Sequence, residues 1–468
     1  MDVQAFFCTF VLAMESICAI STPYGTGGIA VIRISGDDVF DIVAKLIPSY
    51  AHRVLIGCSS GAHRVLIGCS SGAHRVLIGC SSGAQRDVNE SEVIDTDKKL
   101  SSSTTVQYYK IPDLDDVVVT TFHAPHSFTG ENVVEISCHG SLYIQQELLR
   151  RLCDAGCRIA KAGEFTERAF INGKMDLAQA EAVADLIAAE TKAEKDMALS
   201  QLRGGLSSEL DTLRERLLHI TSLIELELDF ADHEELEFAD RSELQSLAAE
   251  IEQHLKRLTN SFSTGNAIKN GIPVAIIGVP NAGKSTLLNA LLGENRAIVS
   301  AIPGTTRDTV EERLVIAGQL FRLIDTAGIH ETEDYVEQLG IERTYEAMDK
   351  ASILIHVQPQ GAPTTLPGKT TLVYHWEDDI EQLKQALVHA AGKQEQNGAV
   401  ISSARHYEAL TRALEAIQRV RKGLADNLSG EFLSMDLQDC LSALGEVTGK
   451  ITNQEVLNNI FSKFCIGK

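Results

Sequence analysis

The chain has 468 residues, enough for two to four domains of ordinary size, and its 44% apolar and 23% charged residues argue against disorder throughout. Its formal net charge of -22 at pH 7 disfavours a surface that binds nucleic acid unaided, because phosphate binding needs clustered Lys and Arg. Ten cysteines at scattered spacings form neither a disulfide framework nor a C-x-x-C metal site, which predicts a reducing, cytoplasmic location.

Two segments near the N-terminus differ from ordinary domain sequence. Residues 1–13 are apolar but contain Asp2 and no Lys or Arg, so they lack the basic start of a secretory signal. They are also shorter than the roughly 20 apolar residues of a membrane span, and we interpret them as an extension before a start near Met14. Residues 51–83 are three identical copies of AHRVLIGCSSG, a period too short for helical solenoid repeats. We interpret the repeat as a recent duplication or a sequence artefact.

Strand-like runs lie before and after the repeat. They cover residues 28–34, 117–121 and 133–137, and each is bounded by Gly, Pro or Asn. Together they predict a small N-terminal α+β domain over residues 1–140.

Helical patterns dominate the chain after residue 176. Apolar residues recur there at steps of three and four, which predicts a helix with one buried face. They are Leu206, Leu210, Leu213, Leu217, Ile220, Ile224 and Leu228. Asp240 followed by Glu243 predicts the N-cap of a further helix, and helical spacing returns after residue 404.

An α/β domain is predicted between the helical blocks. In residues 269–403, strand and helix patterns alternate, as they do in a parallel sheet covered by helices. We therefore predict an all-α domain in two parts, 141–268 and 404–468, with the α/β domain inserted between them.

A phosphate-binding loop is predicted at the start of the α/β domain. Residues 278–285 read G-x-x-x-x-G-K-S, after a strand pattern over 273–278 and before a helical pattern. Glycines let backbone N–H groups face phosphates, and the helix N-terminus adds a favourable dipole. Lys284 supplies positive charge to the β- and γ-phosphates, and the Ser285 hydroxyl can bind Mg²⁺. The nucleotide-binding residues predicted in this loop are Asn281, Ala282, Gly283, Lys284, Ser285 and Thr286.

Two later elements have defined roles around the same nucleotide. Residues 304–308 read GTTRD, where a switch I loop would bring a threonine to the metal. Thr305 and Thr306 are candidates for nucleotide binding, with Thr306 as a magnesium ligand. The next predicted strand ends in Asp325, a Walker B aspartate, and Gly328 can sense the γ-phosphate. Three elements in this order predict a P-loop GTPase.

The usual motif for reading the base is absent from the sequence. Guanine is usually recognised by an N-K-x-D motif after a later strand, in which the aspartate accepts from the base and the asparagine supports the loop. The candidate strand over 371–375 is followed by WEDD, without asparagine or lysine. The connection over 359–370 has only twelve residues, the lower limit for a crossover between parallel strands, and is rich in Gly, Pro and Thr. Guanine selection therefore does not follow from these residues.

Several stretches of the chain carry a family resemblance. They are residues 19–36, 124–131, 163–170, 172–177, 280–285, 304–308 and the terminal FCIGK of 464–468. On these stretches the chain resembles the MnmE (TrmE) family of tRNA modification GTPases. The resemblance covers most of the chain apart from residues 1–13, the repeat and about 359–400. Its most family-specific part is the terminal Cys-Ile-Gly-Lys.

The resemblance implies both a fold and a function. The implied fold is an N-terminal folate-binding domain that dimerises, and an all-α helical domain into which a Ras-like P-loop α/β G domain is inserted. The implied activity is a GTPase cycle that uses Mg²⁺ and requires K⁺. With an FAD-dependent partner of the MnmG (GidA) type, the family adds an aminomethyl-type group to C5 of the wobble uridine of tRNA. A tetrahydrofolate supplies the one-carbon unit.

The resemblance also implies roles for individual residues. Those expected around the folate are Arg33, Glu135 and Lys174. Those expected around the potassium ion are Asn281, Ser300, Ile302 and Thr305. The candidate catalytic residues are Lys284, Arg307, Asp308 and Glu337. From the sequence alone, ordinary exposed charges are the favoured interpretation of Arg33 and Glu135 and an equal alternative for Glu337, since most Glu and Arg are exposed.

Cys465 is a possible nucleophile. A cysteine becomes reactive only when its pKa falls, and the nearby Lys468 would help. The alternative is a structural cysteine, because free cysteines are among the most buried residues.

Two other functions remain open. A ribosome- or RNA-assembly GTPase would share the nucleotide motifs but would need a basic RNA-binding domain, which the acidic composition disfavours. A folate-binding, dimerising scaffold with an impaired GTPase would follow if the region over 359–400 had lost its function.

Overall fold

The computed structural model describes residues 15–50, 104–229, 241–279, 282–295, 312–324, 348–358, 370–375, 378–392 and 398–467. The chain divides into two compact units. The first comprises Met1–Asp176 and Asn453–Lys468, and the second comprises Leu177–Thr452. No helix in the described ranges is long and apolar enough to cross a membrane.

A six-stranded sheet forms the centre of the first unit. Its strands are β1 (Ile17–Ile20), β2 (Ile29–Ser35), β3 (Thr105–Ile111), β4 (Asp115–Phe122), β5 (Val133–His139) and β6 (Arg158–Ile159). They lie in the order β3-β4-β5-β2-β1-β6, and only the β1–β6 pair is parallel. The three predicted strands are confirmed as β2, β4 and β5, because alternate apolar residues of each are buried while their neighbours are more exposed.

Helices cover this sheet and build its core. They are α1 (Val39–Leu46), α2 (Leu142–Ala155) and α3 (Glu164–Ile171). Side chains of α1 and α2, including Val43, Leu148 and Leu152, are fully buried with Ile32 and Ile34 of β2. The predicted α+β character of this part of the chain is thereby confirmed.

The C-terminal segment returns to the first unit. Helix α13 (Gln454–Phe461) packs against α3, and Ala162 forms an isolated antiparallel bridge with Ile466. The first unit thus extends beyond residue 140 and includes part of the 404–468 segment. The predicted domain limits stay predictions at these points.

The second unit contains a helical bundle. Its helices are α4 (Leu177–Ala188), α5 (Lys192–Leu202), α6 (Gly205–Asp229), α7 (Arg241–Asn260), α8 (Phe262–Asn270), α11 (Ala404–Ala425) and α12 (Gly430–Thr448). Helices α6, α7, α11 and α12 pack as neighbours in a ring. The predicted stripe is confirmed, since its residues from Leu206 to Ile224 are buried in the shared core. The predicted N-cap residue Asp240 lies outside the described residues.

A five-stranded sheet forms the rest of the second unit. Its strands are β7 (Ile272–Ile277), β8 (Glu312–Ile316), β9 (Gln319–Ile324), β10 (Ile353–Val357) and β11 (Thr370–Tyr374), with helices α9 (Lys284–Asn295) and α10 (Ile380–Ala391). The order is β11-β10-β7-β9-β8, and only β8 runs antiparallel to its neighbour. The predicted α/β domain within a helical domain is confirmed. The order places β7, which precedes the phosphate-binding loop, at the centre of the sheet.

Candidate nucleotide-binding site

The central strand β7 ends at the carboxyl edge of the sheet. Its register pairs Val274 with Ile353 of β10 and with Leu323 of β9, so it is flanked on both sides by parallel strands. Ligands bind in α/β sheets outside the carboxyl ends of such strands. The loop that begins at Gly278 therefore lies at the edge where a ligand is expected.

Gly278 is required by a close backbone approach. A Cβ atom at this position would lie 2.4 Å from the carbonyl oxygen of Val357, at the end of β10. Gly283, at the other end of the loop, has a φ of 84°, which is in the left-handed region that favours glycine. The two glycines of the motif thus let the loop turn tightly against β10 and enter α9.

Lys284 is held across the loop. Its Nζ donates hydrogen bonds to the carbonyl oxygens of Gly278 and Val279, each at 3.0 Å. Burial lowers the pKa of the ammonium group. The only cation of the motif therefore lies over the loop, where its charge would meet phosphate oxygens.

The N-terminus of α9 completes an anion site. Leu287 N donates to Gly283 O at 3.0 Å, which makes the first helical hydrogen bond of this end. The preceding N–H groups, at Lys284, Ser285 and Thr286, belong to the first turn, where helical amides have no helical acceptor. The helix dipole favours negative charge at the same place. Buried leucines at positions 287, 288 and 291 anchor α9 in the core, so this end is rigidly placed.

The structure therefore brings together five predicted nucleotide-binding residues: Ala282, Gly283, Lys284, Ser285 and Thr286. The others lie outside the described residues: Asn281, Ser300, Ile302, Thr305, Thr306, Arg307, Asp308, Asp325, Gly328 and Glu337. Ile324, which precedes Asp325 in the chain, ends β9 in register with Ala275 of β7. The roles assigned to the residues outside the described ranges stay predictions.

Arg33 and Glu135, two of the three predicted folate residues, form an ion pair. They are directly opposite each other on β2 and β5, and Arg33 Nε donates to Glu135 Oε1 at 2.9 Å. The guanidinium also lies over the rings of Phe128 and Phe165, 5.3 and 5.8 Å from their centroids. A ligand carboxylate at Arg33 would therefore compete with Glu135.

Lys174 contacts the same loop that carries Phe128. Its Nζ donates to the carbonyl oxygen of Pro125 at 2.9 Å, and the neighbouring Asn172 donates to Thr129 O at 2.8 Å. Arg33 and Lys174 thus both contact this loop, and Glu135 is paired with Arg33. Their role in folate binding stays a prediction.

Cys465 is exposed, and its carbonyl oxygen accepts a hydrogen bond from Gly163 N. The side chain is therefore not a core residue, and its reactivity stays a prediction.

Sequence reasoning missed two clusters of charge. In the first unit, Arg168 donates to Glu131 and to Glu164, and its side chain is only 4% exposed. In the second unit, Glu181 contacts both Arg405 and His406. Glu164 and Arg168 are one turn apart on α3, but the contacts of Arg168 with Glu131 and of Glu181 with Arg405 join distant elements, so no local signal in the sequence could have identified those two.

The site consists of a parallel strand, a glycine loop that ends in a lysine, and a helix that begins at that lysine. This combination defines a P-loop nucleoside triphosphatase. Two family models together match nearly the whole chain. The model of the MnmE helical domain matches residues 177–465, and that of the GTP-binding protein TrmE N-terminus matches residues 16–174. The chain belongs to the MnmE family of tRNA modification GTPases.

The chain is also similar in sequence to individual members of this family. The tRNA modification GTPase MnmE of Parabacteroides distasonis is 48% identical, over 97% of this chain and 100% of the relative. Those of Phocaeicola vulgatus and Flavobacterium johnsoniae are 44% and 42% identical, each over 98% of this chain and 100% of the relative. Among solved structures, the apo cytosolic domain of the T. maritima FeoB iron transporter matches 41% of this chain and 94% of that chain. Its identity is 17% and its TM-score 0.17.

The predicted family and the predicted enzyme class, a GTP hydrolase, are thereby confirmed. Membership implies use of GTP and Mg²⁺, and the lysine, the helix N-terminus and the Ser285 hydroxyl described above form a donor set that fits a magnesium-bound triphosphate.

Proposed function

We propose that this chain is a potassium-activated GTPase of tRNA wobble-uridine modification. The observation that carries the proposal is the position of Lys284 at the first residue of α9, with its ammonium across the loop. When a triphosphate binds, the ammonium exchanges the carbonyl oxygens of Gly278 and Val279 for phosphate oxygens. This exchange is favourable because a charged acceptor makes the stronger hydrogen bond.

The other residues of the loop position the reacting phosphate. The first-turn amides of α9 donate to phosphate oxygens, and the Ser285 hydroxyl helps to hold Mg²⁺, which offsets charge on the β- and γ-phosphates. Asn281, Ser300, Ile302 and Thr305 would hold K⁺ beside them, in the electrostatic role that an arginine finger has in other GTPases. Glu337 would orient water when two G domains pair.

The finer parts of the function come from the family resemblance. They are a homodimer, a tetrahydrofolate one-carbon donor held near Arg33, Glu135 and Lys174, an FAD-dependent partner of the MnmG (GidA) type, and a cytoplasmic tRNA substrate. Arg33 supports the folate assignment, because its guanidinium lies 5.3 Å from the ring centroid of Phe128, which is partly exposed and could also stack on a pterin.

Potassium dependence is the direct test of the proposed catalysis. We expect the purified chain to hydrolyse GTP about tenfold or more faster in KCl than in NaCl at equal ionic strength, because K⁺ would stabilise charge that develops between the β- and γ-phosphates. Phosphate release measures the rate.

Asn281→Ala provides the matched variant, and it should lose the difference between the two salts. Equal rates of the unmodified chain in both salts would contradict the potassium assignment. Absence of GTP binding in either salt would instead favour a folate-binding scaffold with an impaired GTPase.

A further inference from the structure

The β4–β5 loop, residues 123–132, contacts two of the predicted folate residues. The guanidinium carbon of Arg33 lies 5.3 Å from the centroid of the Phe128 ring. Lys174 Nζ donates to the carbonyl oxygen of Pro125 at 2.9 Å. A shift of this loop would therefore change the surroundings of both cationic side chains.

Hydrogen bonds to buried groups hold this loop in place. Thr129 has no exposed surface, and its Oγ1 lies 2.7 Å from Ser35 Oγ at the end of β2. Asn172 donates to the carbonyl oxygen of Thr129 at 2.8 Å. Phe128 adds a partly buried apolar contact to the cluster around Phe165. Since hydrogen bonds are directional, contacts of this kind can fix the loop in one position.

Glu131 gives the loop a charged anchor. Its Oε2 accepts a hydrogen bond from Ser35 Oγ at 2.6 Å and one from Arg168 Nη1 at 3.1 Å. The side chains of Glu131 and Arg168 are only 11% and 4% exposed. Water and salt screen such a pair weakly, and loss of one partner leaves the other charge uncompensated. The pair therefore holds the end of the loop against α3.

The same pair joins the two elements whose rings lie against Arg33. Phe128 belongs to the β4–β5 loop, whereas Phe165 belongs to α3 and lies 5.8 Å from the guanidinium carbon of Arg33. Phe165 and Arg168 are three positions apart on α3, so they lie on the same side of this helix. The arrangement of the two rings about Arg33 thus depends on how the loop and α3 are held together.

We propose that Arg168 is a positioning residue of the one-carbon site. Through Glu131 it holds Phe128 beside Arg33, so that the ring and the guanidinium present one fixed surface to a reduced folate. This inference rests on the proposed folate site. A surface that is ordered before the ligand arrives binds more tightly, because less conformational entropy is lost on binding.

Arg158 provides a matched control for Arg168. Both guanidinium groups pair with Glu164 Oε1, Arg158 at 2.6 Å and Arg168 at 3.2 Å. The other hydrogen bonds of the Arg158 side chain, among the described residues, go to Glu15 and Ile159. Arg158→Ala therefore removes an arginine from the same carboxylate and leaves the contacts of the β4–β5 loop in place.

Calorimetric titration of the full chain with folinic acid, an air-stable reduced folate, tests the proposal. We expect Arg168→Ala to weaken the affinity by about tenfold or more, since small displacements of a binding group have effects of this order. Arg158→Ala should bind as tightly as the unmodified chain. Glu131→Ala removes the loop end of the pair while Arg168 keeps Glu164. It should show the same loss of affinity even if Arg168→Ala folds poorly.

A double-mutant cycle separates positioning from general destabilisation. In a Phe128→Ala background, Glu131→Ala should have little further effect on the affinity, because the ring that it positions is already absent. Losses that add would overturn the inference, as would equal losses in Arg168→Ala and Arg158→Ala or unchanged affinity in Arg168→Ala and Glu131→Ala. If the unmodified chain does not bind folinic acid, the proposed folate site fails together with the inference.

Discussion

Lys284→Ala should reduce GTP hydrolysis by about 100-fold or more, because removal of a preorganised charge aimed at the transferring phosphoryl group has an effect of this order. The ammonium is the only cation within the described part of the loop, where it contacts Gly278 and Val279. Single-turnover hydrolysis at saturating GTP isolates the chemical step from binding.

Lys350→Ala is the matched control for this prediction. Lys350 is an exposed lysine of the same α/β domain, and its loss should leave the rate unchanged. A Lys284→Ala rate within a few-fold of the unmodified chain would contradict the assignment of the loop as the site of hydrolysis.

Arg405→Ala should lower the free energy of unfolding of the second unit by about 2 kcal/mol or more, because it removes two hydrogen bonds to a carboxylate of low exposure and leaves it with His406 as its remaining charged neighbour. Arg405 Nε and Nη2 donate to the two oxygens of Glu181, each at 3.0 Å, and Nη1 donates to Glu446 O at 2.6 Å. These bonds connect α4, α11 and α12. Equilibrium unfolding in urea measures the change.

Arg419→Ala is a control on the same helix. Arg419 is 50% exposed and pairs with Asp436 and Asp439, so its loss should cost at most about 1 kcal/mol. An equal decrease in the free energy of unfolding of the two variants would contradict the larger contribution expected of the Arg405–Glu181 pair.

The same pair predicts a dependence on pH. Burial alone would raise the pKa of the Glu181 carboxyl, but His406 and Arg405 outweigh it and lower that pKa to about 2. The pair's contribution to stability is then complete above the ordinary pKa of 4.5 and is lost as the pH falls from there toward about 2. The difference in the free energy of unfolding between the unmodified chain and Arg405→Ala should decrease as the pH falls through this interval. A difference of the same size at about pH 3 and about pH 7 would contradict this prediction.

Local patterns predicted the elements that depend on neighbours in sequence. The spacing of glycines, lysine and serine was sufficient for the loop after β7, since one strand, one turn and one helix start form within a few residues. The apolar stripe from Leu206 and the alternation in β2 and β5 were equally local. The limits of the domains were less predictable, because the chain end returns to Ala162 and Gly163.

The sequence by itself determined that this chain has a phosphate loop and which family it belongs to, because both depend on residue types at short spacings. Only the tertiary structure decided which charges meet. Glu181 and Arg405 are 224 residues apart, and Arg33 and Glu135 are 102 residues apart. Pairings of this kind are set by strand order and helix packing, which bury apolar surface over the whole unit and leave no pattern in any short stretch of the chain.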